Sequence, residues 1–128
     1  MNILLDTHIA LWAIADSPRL NAQAKQAILN PKNTLWVSTV SLWEIAIKHS
    51  LGKGDMPVDA KQALNYFQAA GYQILPIYAE HTLAIAELPY HHQDPFDRLL
   101  IAQAMTEPMR LMTHDTQIEK YGNMALMV

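Results

Sequence analysis

At 128 residues, with 51% hydrophobic and 16% charged side chains, the chain has the composition of one compact domain, which excludes a disordered tail or a fibrous repeat. It has no cysteine, so a disulfide framework and a thiolate metal site are both ruled out; no apolar run has the length of a bilayer span and no basic segment leads into an apolar one, so the cytoplasm is the expected location. A formal net charge of -3 argues against a passive nucleic-acid coat, yet suits an enzyme whose clustered carboxylates hold divalent cations against phosphate.

In chain order, Ile3, Leu4 and Leu5 form a short apolar run ending in Asp6, read as a buried strand that delivers an acid at its carboxyl end. Thr7 is placed to cap a helix carrying Ile9, Leu11, Trp12, Ile14 and Ala15. Asp16-Ser17-Pro18 breaks that helix, the proline suiting the first turn of a new one, and a helix is expected over Ala22 to Leu29. After a turn at residues 30–33, Thr34 to Ser38 is rich in strand-formers. Thr39 to Ser50 reads as a deeply placed helix, apolar around most of its circumference, ended by Gly52 and Gly54. Pro57 can start the next helix, with Ala60, Ala63, Leu64, Phe67 and Ala70 at helical spacing and Gly71 as the stop. Gln73 to Ile77 is a strand that Pro76 confines to an edge or terminus. A helix over Ala79 to Leu88, a loop over Pro89 to Gln93, and a helix over Pro95 to Thr106 capped by Asp94 follow. The chain closes with a strand at Arg110 to Thr113, a short helix at Asp115 to Tyr121 and a strand at Ala125 to Val128. Short strands alternating with helices imply an α/β fold, a parallel or mostly parallel sheet with helices on both faces.

In such sheets ligands gather beyond the carboxyl ends of the strands, where strand order reverses. Asp6 and Asp115 fall at or just past strand ends, Asp97 in a first helical turn, and Glu44 in the helix after the second strand, so a doubly wound sheet would gather all four. Carboxylates without cysteine suit hard cations, Mg²⁺ or Mn²⁺, and phosphodiester chemistry that needs no protein nucleophile. In that reading Asp6 and Asp97 are the main metal ligands, Glu44 and Asp115 bind through water or organise the attacking water, and Thr113 hydrogen-bonds within the cluster. Simpler roles compete. Ser41-Leu42-Trp43-Glu44 fits a capping box, Asp94-Pro95-Phe96-Asp97 a cap and a dipole-favoured acid, and Asp115 a helix cap. Asp6 has no capping duty that Thr7 could not perform. His91 and His92 either tune the site or are solvated bystanders. The six histidines show no zinc-type spacing, and Trp12, Trp36 and Trp43 read as core or dimer surface.

Leu-Leu-Asp-Thr-His at 4 to 8, Val-Ser-Thr-Val-Ser-Leu-Trp-Glu-Ile-Ala-Ile-Lys at 37 to 48, Asp-Pro-Phe-Asp-Arg-Leu-Leu-Ile-Ala-Gln-Ala at 94 to 104 and Leu-Met-Thr-His-Asp at 111 to 115 together resemble PIN-domain proteins of the VapC type, over nearly the whole chain. The resemblance implies one PIN domain over residues 1–128, a three-layer α/β/α sandwich with a mostly parallel central sheet. It also implies an Mg²⁺- or Mn²⁺-dependent endoribonuclease, frequent homodimers, no membrane attachment, and a VapB-type antitoxin whose C-terminal segment reaches the active site. The family's acidic residues fall on Asp6, Glu44, Asp97 and Asp115. Asp94 is an additional acid, read here as a cap that could assist the site, and Arg98, Lys48 and Lys53 become candidate contacts to RNA phosphates or to acidic groups of the partner.

Three other readings remain for test. A phosphohydrolase with Asp6 as nucleophile would want a second aspartate two residues on, where His8 stands. A phosphoreceiver domain lacks its acid pair and later lysine. A non-catalytic PIN-like module binding RNA or protein would gain nothing from gathering repelling carboxylates.

Overall fold

The structure, a computed structural model, describes residues 1–128. Five strands, β1 (Asn2–Leu5), β2 (Thr34–Ser38), β3 (Gln73–Leu75), β4 (Arg110–Thr113) and β5 (Ala125–Met127), form one sheet in the order β3-β2-β1-β4-β5. Every pairing is parallel. Seven helices connect them: α1 (Thr7–Ile14), α2 (Ala22–Leu29), α3 (Thr39–Ser50), α4 (Ala60–Ala69), α5 (Ala79–Ile85), α6 (Pro95–Thr106) and α7 (Thr116–Glu119).

Alternation along the central strand explains the layers. Ile3 and Leu5 point to one face and Leu4 to the other, and all three are fully buried. On the first face they meet α1, α2 and α4 through Ile9, Ala10, Leu11, Ala24, Ala63 and Phe67. On the second, Leu4 and Leu111 pack against Leu100, Ile101 and Ala104 of α6 and Ile118 of α7. The helix α3 serves both cores, giving Ile45 to the first and Val40 to the second. The result is the expected α/β/α sandwich, with a sheet parallel throughout.

Strand order sets the position of the site. The chain leaves β1 for β2 and β3 on one side, then returns to place β4 on the other, so succession reverses between β1 and β4. Leu5 is in register with Met112, and the Asp6 N–H donates to the Met112 carbonyl at 3.0 Å. The carboxyl ends of β1 and β4 therefore lie side by side, as ligand binding at a switch point requires.

Local chemistry moved several boundaries. Asp6, not Thr7, caps α1: its Oδ1 accepts the Thr7 N–H at 2.8 Å. Pro18 opens no helix beyond the single turn closed by the Leu20 N–H on the Ser17 carbonyl at 3.1 Å, because Asn21 captures the Ala24 N–H at 2.9 Å and starts α2 there. Likewise α4 begins at Ala60 rather than Pro57, where Asp59 and Gln62 form a reciprocal capping box. The deep placement expected of α3 holds only on one side, since Trp43 is 48% exposed. The last helix is shorter than its sequence span, because Asp115 is its cap and Glu119 its last residue.

Leu4→Ala is expected to destabilise the fold by about 2–5 kcal/mol, the usual cost of an uncollapsed Leu-to-Ala cavity. Chemical denaturation would measure it; a loss below about 1 kcal/mol would contradict a sheet buried on both faces.

Candidate active site

Asp6 is buried with only 9% of its surface exposed, and both its oxygens are engaged. Oδ1 accepts from the Thr7 N–H at 2.8 Å, and Oδ2 accepts from the Thr113 hydroxyl at 2.7 Å. Thr113 Oγ1 in turn accepts the Asp115 N–H at 3.1 Å, so one hydroxyl at the end of β4 ties two of the acids together. The Thr7 hydroxyl donates to Glu44 Oε1 at 2.7 Å, and the buried Ser41 hydroxyl, 2.9 Å away, is left to donate to Thr7. Glu44 lies inside α3, whose cap is Ser38. The capping box of Ser41 and Glu44 does not form, and the simplest alternative role for Glu44 goes with it.

Asp97 enters from the first turn of α6. Pro95 starts that helix and the Asp94 carboxylate accepts the Asp97 N–H at 3.0 Å, so Asp94 is the cap that its sequence suggested. Asp115 also caps, Oδ1 taking the Gln117 N–H at 2.8 Å. Asp97 and Asp115 each keep an oxygen to spare: no hydrogen bond within the chain reaches Asp97 Oδ1 or Asp115 Oδ2.

Burial and mutual repulsion both act on these acids. Burial, followed by repulsion from Asp6, Asp94, Glu44 and Asp115, pushes Asp97 up to about 8. Burial also raises Asp6, with a further push from Glu44, against the lowering effect of its bonds to Thr113 and Thr7. Lys48 partly answers this charge. Burial alone would lower its ammonium, but the contact with Glu44 and the fields of Asp94 and Asp97 outweigh that and raise it. The close approach of Gly54 to the Lys48 stem helps hold the lysine there: a Cβ at this glycine, whose φ is +73°, would lie 2.6 Å from Lys48 Cδ.

No three of the acidic or imidazole side chains, as they stand, grip a single point as an ion's ligands would. The donors nonetheless fit Mg²⁺ or Mn²⁺ in kind. They are all hard oxygens, two oxygens are unengaged, and a positive charge among them would relieve the repulsion that raises Asp97.

Among the remaining candidates, one departs from its sequence reading. Arg98 is a correction: expected as a surface cation, it is 5% exposed. Its guanidinium donates to the Pro89 carbonyl at 2.8 Å and the Tyr121 hydroxyl at 3.0 Å, and lies 4.3 Å from the Tyr90 ring centroid. It fastens the loop before α6 and has no open face for phosphate. Lys53 is exposed, while Lys48 faces the carboxylates. His91 is exposed, edge-on to Tyr121, but His92 is largely covered and bonds Asp97 Oδ2 through Nε2 at 3.1 Å.

Sequence reasoning missed Thr7, Ser41 and Tyr121 as members of this network. Thr7 follows Asp6 directly and Ser41 lies one helical turn before Glu44, so small hydroxyls beside two acids were a usable signal. Nothing local to Tyr121 announced its reach across the fold to His92 and Arg98.

Residues 3–124 match the PIN domain family. The chain is 29% identical over 124 residues to Ribonuclease VapC22 of Mycobacterium tuberculosis, covering 93% of this chain and 91% of that protein. Among solved structures it resembles a chain of VapBC2 from Rickettsia felis bound to a DNA fragment from their promoter. There the TM-score is 0.71 at 20% identity, over 100% of this chain and 98% of that one. It also resembles a chain of FitAcB from Neisseria gonorrhoeae, with a TM-score of 0.64 at 18% identity over 98% and 96%.

A raised Asp97 has a consequence for stability in the presence of a chelator. With its carboxyl near 8 in the folded state and at the ordinary 3.8 when unfolded, the folded protein holds the extra proton between those values. Stability therefore falls as pH rises from about 4 to about 8. The field of Lys48 opposes the penalty without cancelling it. Asp97→Asn is expected to raise the melting temperature at pH 8, by roughly 3–5 °C for each kcal/mol recovered, and to flatten this slope. A variant that melts lower than wild type at pH 8 would contradict the repulsion.

Proposed function

This chain belongs to the PIN-domain family, and from that premise we propose that it is an endoribonuclease dependent on Mg²⁺ or Mn²⁺, the toxin of a VapBC-type toxin-antitoxin pair. The observation that carries the proposal is the gathering of Asp6, Glu44, Asp97 and Asp115 beyond the carboxyl ends of β1 and β4, where Thr113 bridges Asp6 and Asp115, Thr7 joins Asp6 to Glu44, and burial followed by repulsion from the other acids pushes Asp97 up to about 8. Residues 1–128 are read as one PIN domain working in the cytoplasm, with a VapB-type antitoxin and a second copy of the chain as its partners. The relative named Ribonuclease VapC22 and the neighbours solved as VapBC complexes support that reading.

Asp6 and Asp97 would be the main ligands of the ion, and Glu44 and Asp115 would act through water or align the attacking water. The cation, when bound, supplies positive charge to the phosphodiester and acidifies the water that attacks it. The rest falls to the chain itself. Thr113 and the Thr7 N–H fix the Asp6 carboxylate in one orientation and favour its ionised form. The Thr7 hydroxyl, itself hydrogen-bonded to Ser41, holds Glu44 Oε1 at 2.7 Å. Asp94 orients the first turn of α6 so that Asp97 faces the cluster. Lys48 and the exposed Lys53 would be the basic groups that meet RNA phosphates or acidic groups of the antitoxin.

One observation favours a second reading. Lys48 already puts a cation among the carboxylates, as would suffice for a PIN-like module that binds RNA or protein without cutting. Metal dependence separates the two. Total RNA incubated with the purified chain and Mn²⁺ should yield discrete fragments that disappear with EDTA and in folded Asp6→Asn and Asp97→Asn variants. RNA retained intact by folded, antitoxin-free wild type would support the binding module. Full activity in Asp6→Asn would overturn the assigned ligands.

A further inference from the structure

Resting on the reading of Asp97 as a metal ligand, we infer that His92 is a positioning residue for it, donating Nε2–H to Asp97 Oδ2 in a tautomer imposed by Arg98 through Tyr121.

The inference comes from counting protons around one oxygen. The Tyr121 hydroxyl is buried and receives Arg98 Nη1 at 3.0 Å and the His92 backbone N–H at 3.3 Å. Both groups can only donate, so the two acceptor positions of the phenol oxygen are filled. Its one proton must go outward. The His92 Nδ1 is the nearer recipient at 2.8 Å; the His92 carbonyl lies at 3.4 Å. Nδ1 therefore accepts, the ring proton sits on Nε2, and that N–H points at Asp97 Oδ2, 3.1 Å away. A proton on Nδ1 would bring three donors onto a phenol oxygen with two lone pairs. The same count excludes a protonated Asp97 donating to Nε2, since the ring proton would then be forced onto Nδ1.

Arg98 is suited to anchor this chain because it is never an acceptor and is itself fixed by carbonyls. Nη1 holds Pro89 at 2.8 Å, and Nη2 reaches Leu88 at 3.4 Å. The buried arginine thus sets a hydrogen-bond direction that runs through Tyr121 and His92 to the carboxylate. With Oδ2 held, Asp97 presents Oδ1, the oxygen with no hydrogen bond within the chain. Outer partners that orient a ligand in this way are usually worth about 10–100-fold in metal affinity or activity.

Nitrogen-15 NMR of the imidazole rings in the whole, metal-free chain, at a pH where the rings carry one proton, reads the tautomer directly. His92 should be the Nε2–H form in wild type and a mixture in Tyr121→Phe. Calorimetric titration with Mn²⁺ should then show about 10–100-fold weaker binding in His92→Leu, and recovery to within a few-fold in His92→Gln, whose amide restores a donor at the same reach. An Nδ1–H tautomer in wild type, or unchanged Mn²⁺ affinity in folded His92→Leu, would overturn the inference. Wild type with the Nε2–H tautomer but no Mn²⁺ binding would sink the reading of the site itself, and the role of His92 in positioning a ligand with it.

Discussion

Asp97 lies among four other carboxylates in a partly buried setting, and the fold has to hold that repulsion in place. It does so mainly with short, directed hydrogen bonds, while Lys48 answers part of the charge. Thr113 and the Thr7 N–H fasten Asp6, the Thr7 hydroxyl, itself bonded to Ser41, fastens Glu44, and Asp94 fastens the turn that carries Asp97. These partners are the last residue of a strand, the first residues of a helix or a helix cap. The cluster is therefore only as stable as the register of β1 against β4, which the two apolar cores secure from opposite faces. Carboxylates confined in this way, with oxygens left over, form a receptor for positive charge, and Lys48 occupies only the Glu44 side of it.

Helix caps link the fold to the site. Asp6, Asp94 and Asp115 each terminate a helix with one oxygen and keep the other for the cluster or its hydroxyls. A capping acid and a site acid are usually weighed as alternatives. Here Asp6 and Asp115 are both, because the starts of α1 and α7 coincide with the carboxyl edge of the sheet, where N-terminal amides and a bound cation can share a carboxylate.

That dual use explains what was legible in the sequence. The helices α2, α3 and α6 and the strands β2 and β4 have the bounds their periodicity and turn residues indicate, and the four acids meet as strand-end logic requires. Asp6 was legible as an acid delivered to the carboxyl edge of the sheet but not as a cap, since the local sequence does not show whether its carboxylate or the following hydroxyl will take an N–H at the start of α1. Arg98 was misread because an arginine in a helix's first turn carries no local sign that it will turn inward. Only the loop carbonyls before α6 and Tyr121, more than twenty residues later, create a buried place for it. His92 was ambiguous for the same reason. Local patterns report helix starts and strand ends, whereas a buried polar network is assembled from distant segments after the cores have formed.

The central claim is that the carboxylate cluster is completed by a divalent cation. Thermal unfolding of the purified chain at neutral pH, with and without millimolar Mn²⁺, tests it without reference to any RNA, because a ligand of the folded state alone must raise the unfolding midpoint. The account predicts a rise with Mn²⁺ in the wild-type chain that disappears in Asp97→Asn. A midpoint unmoved by Mn²⁺, or one that rises equally in both proteins, would contradict it.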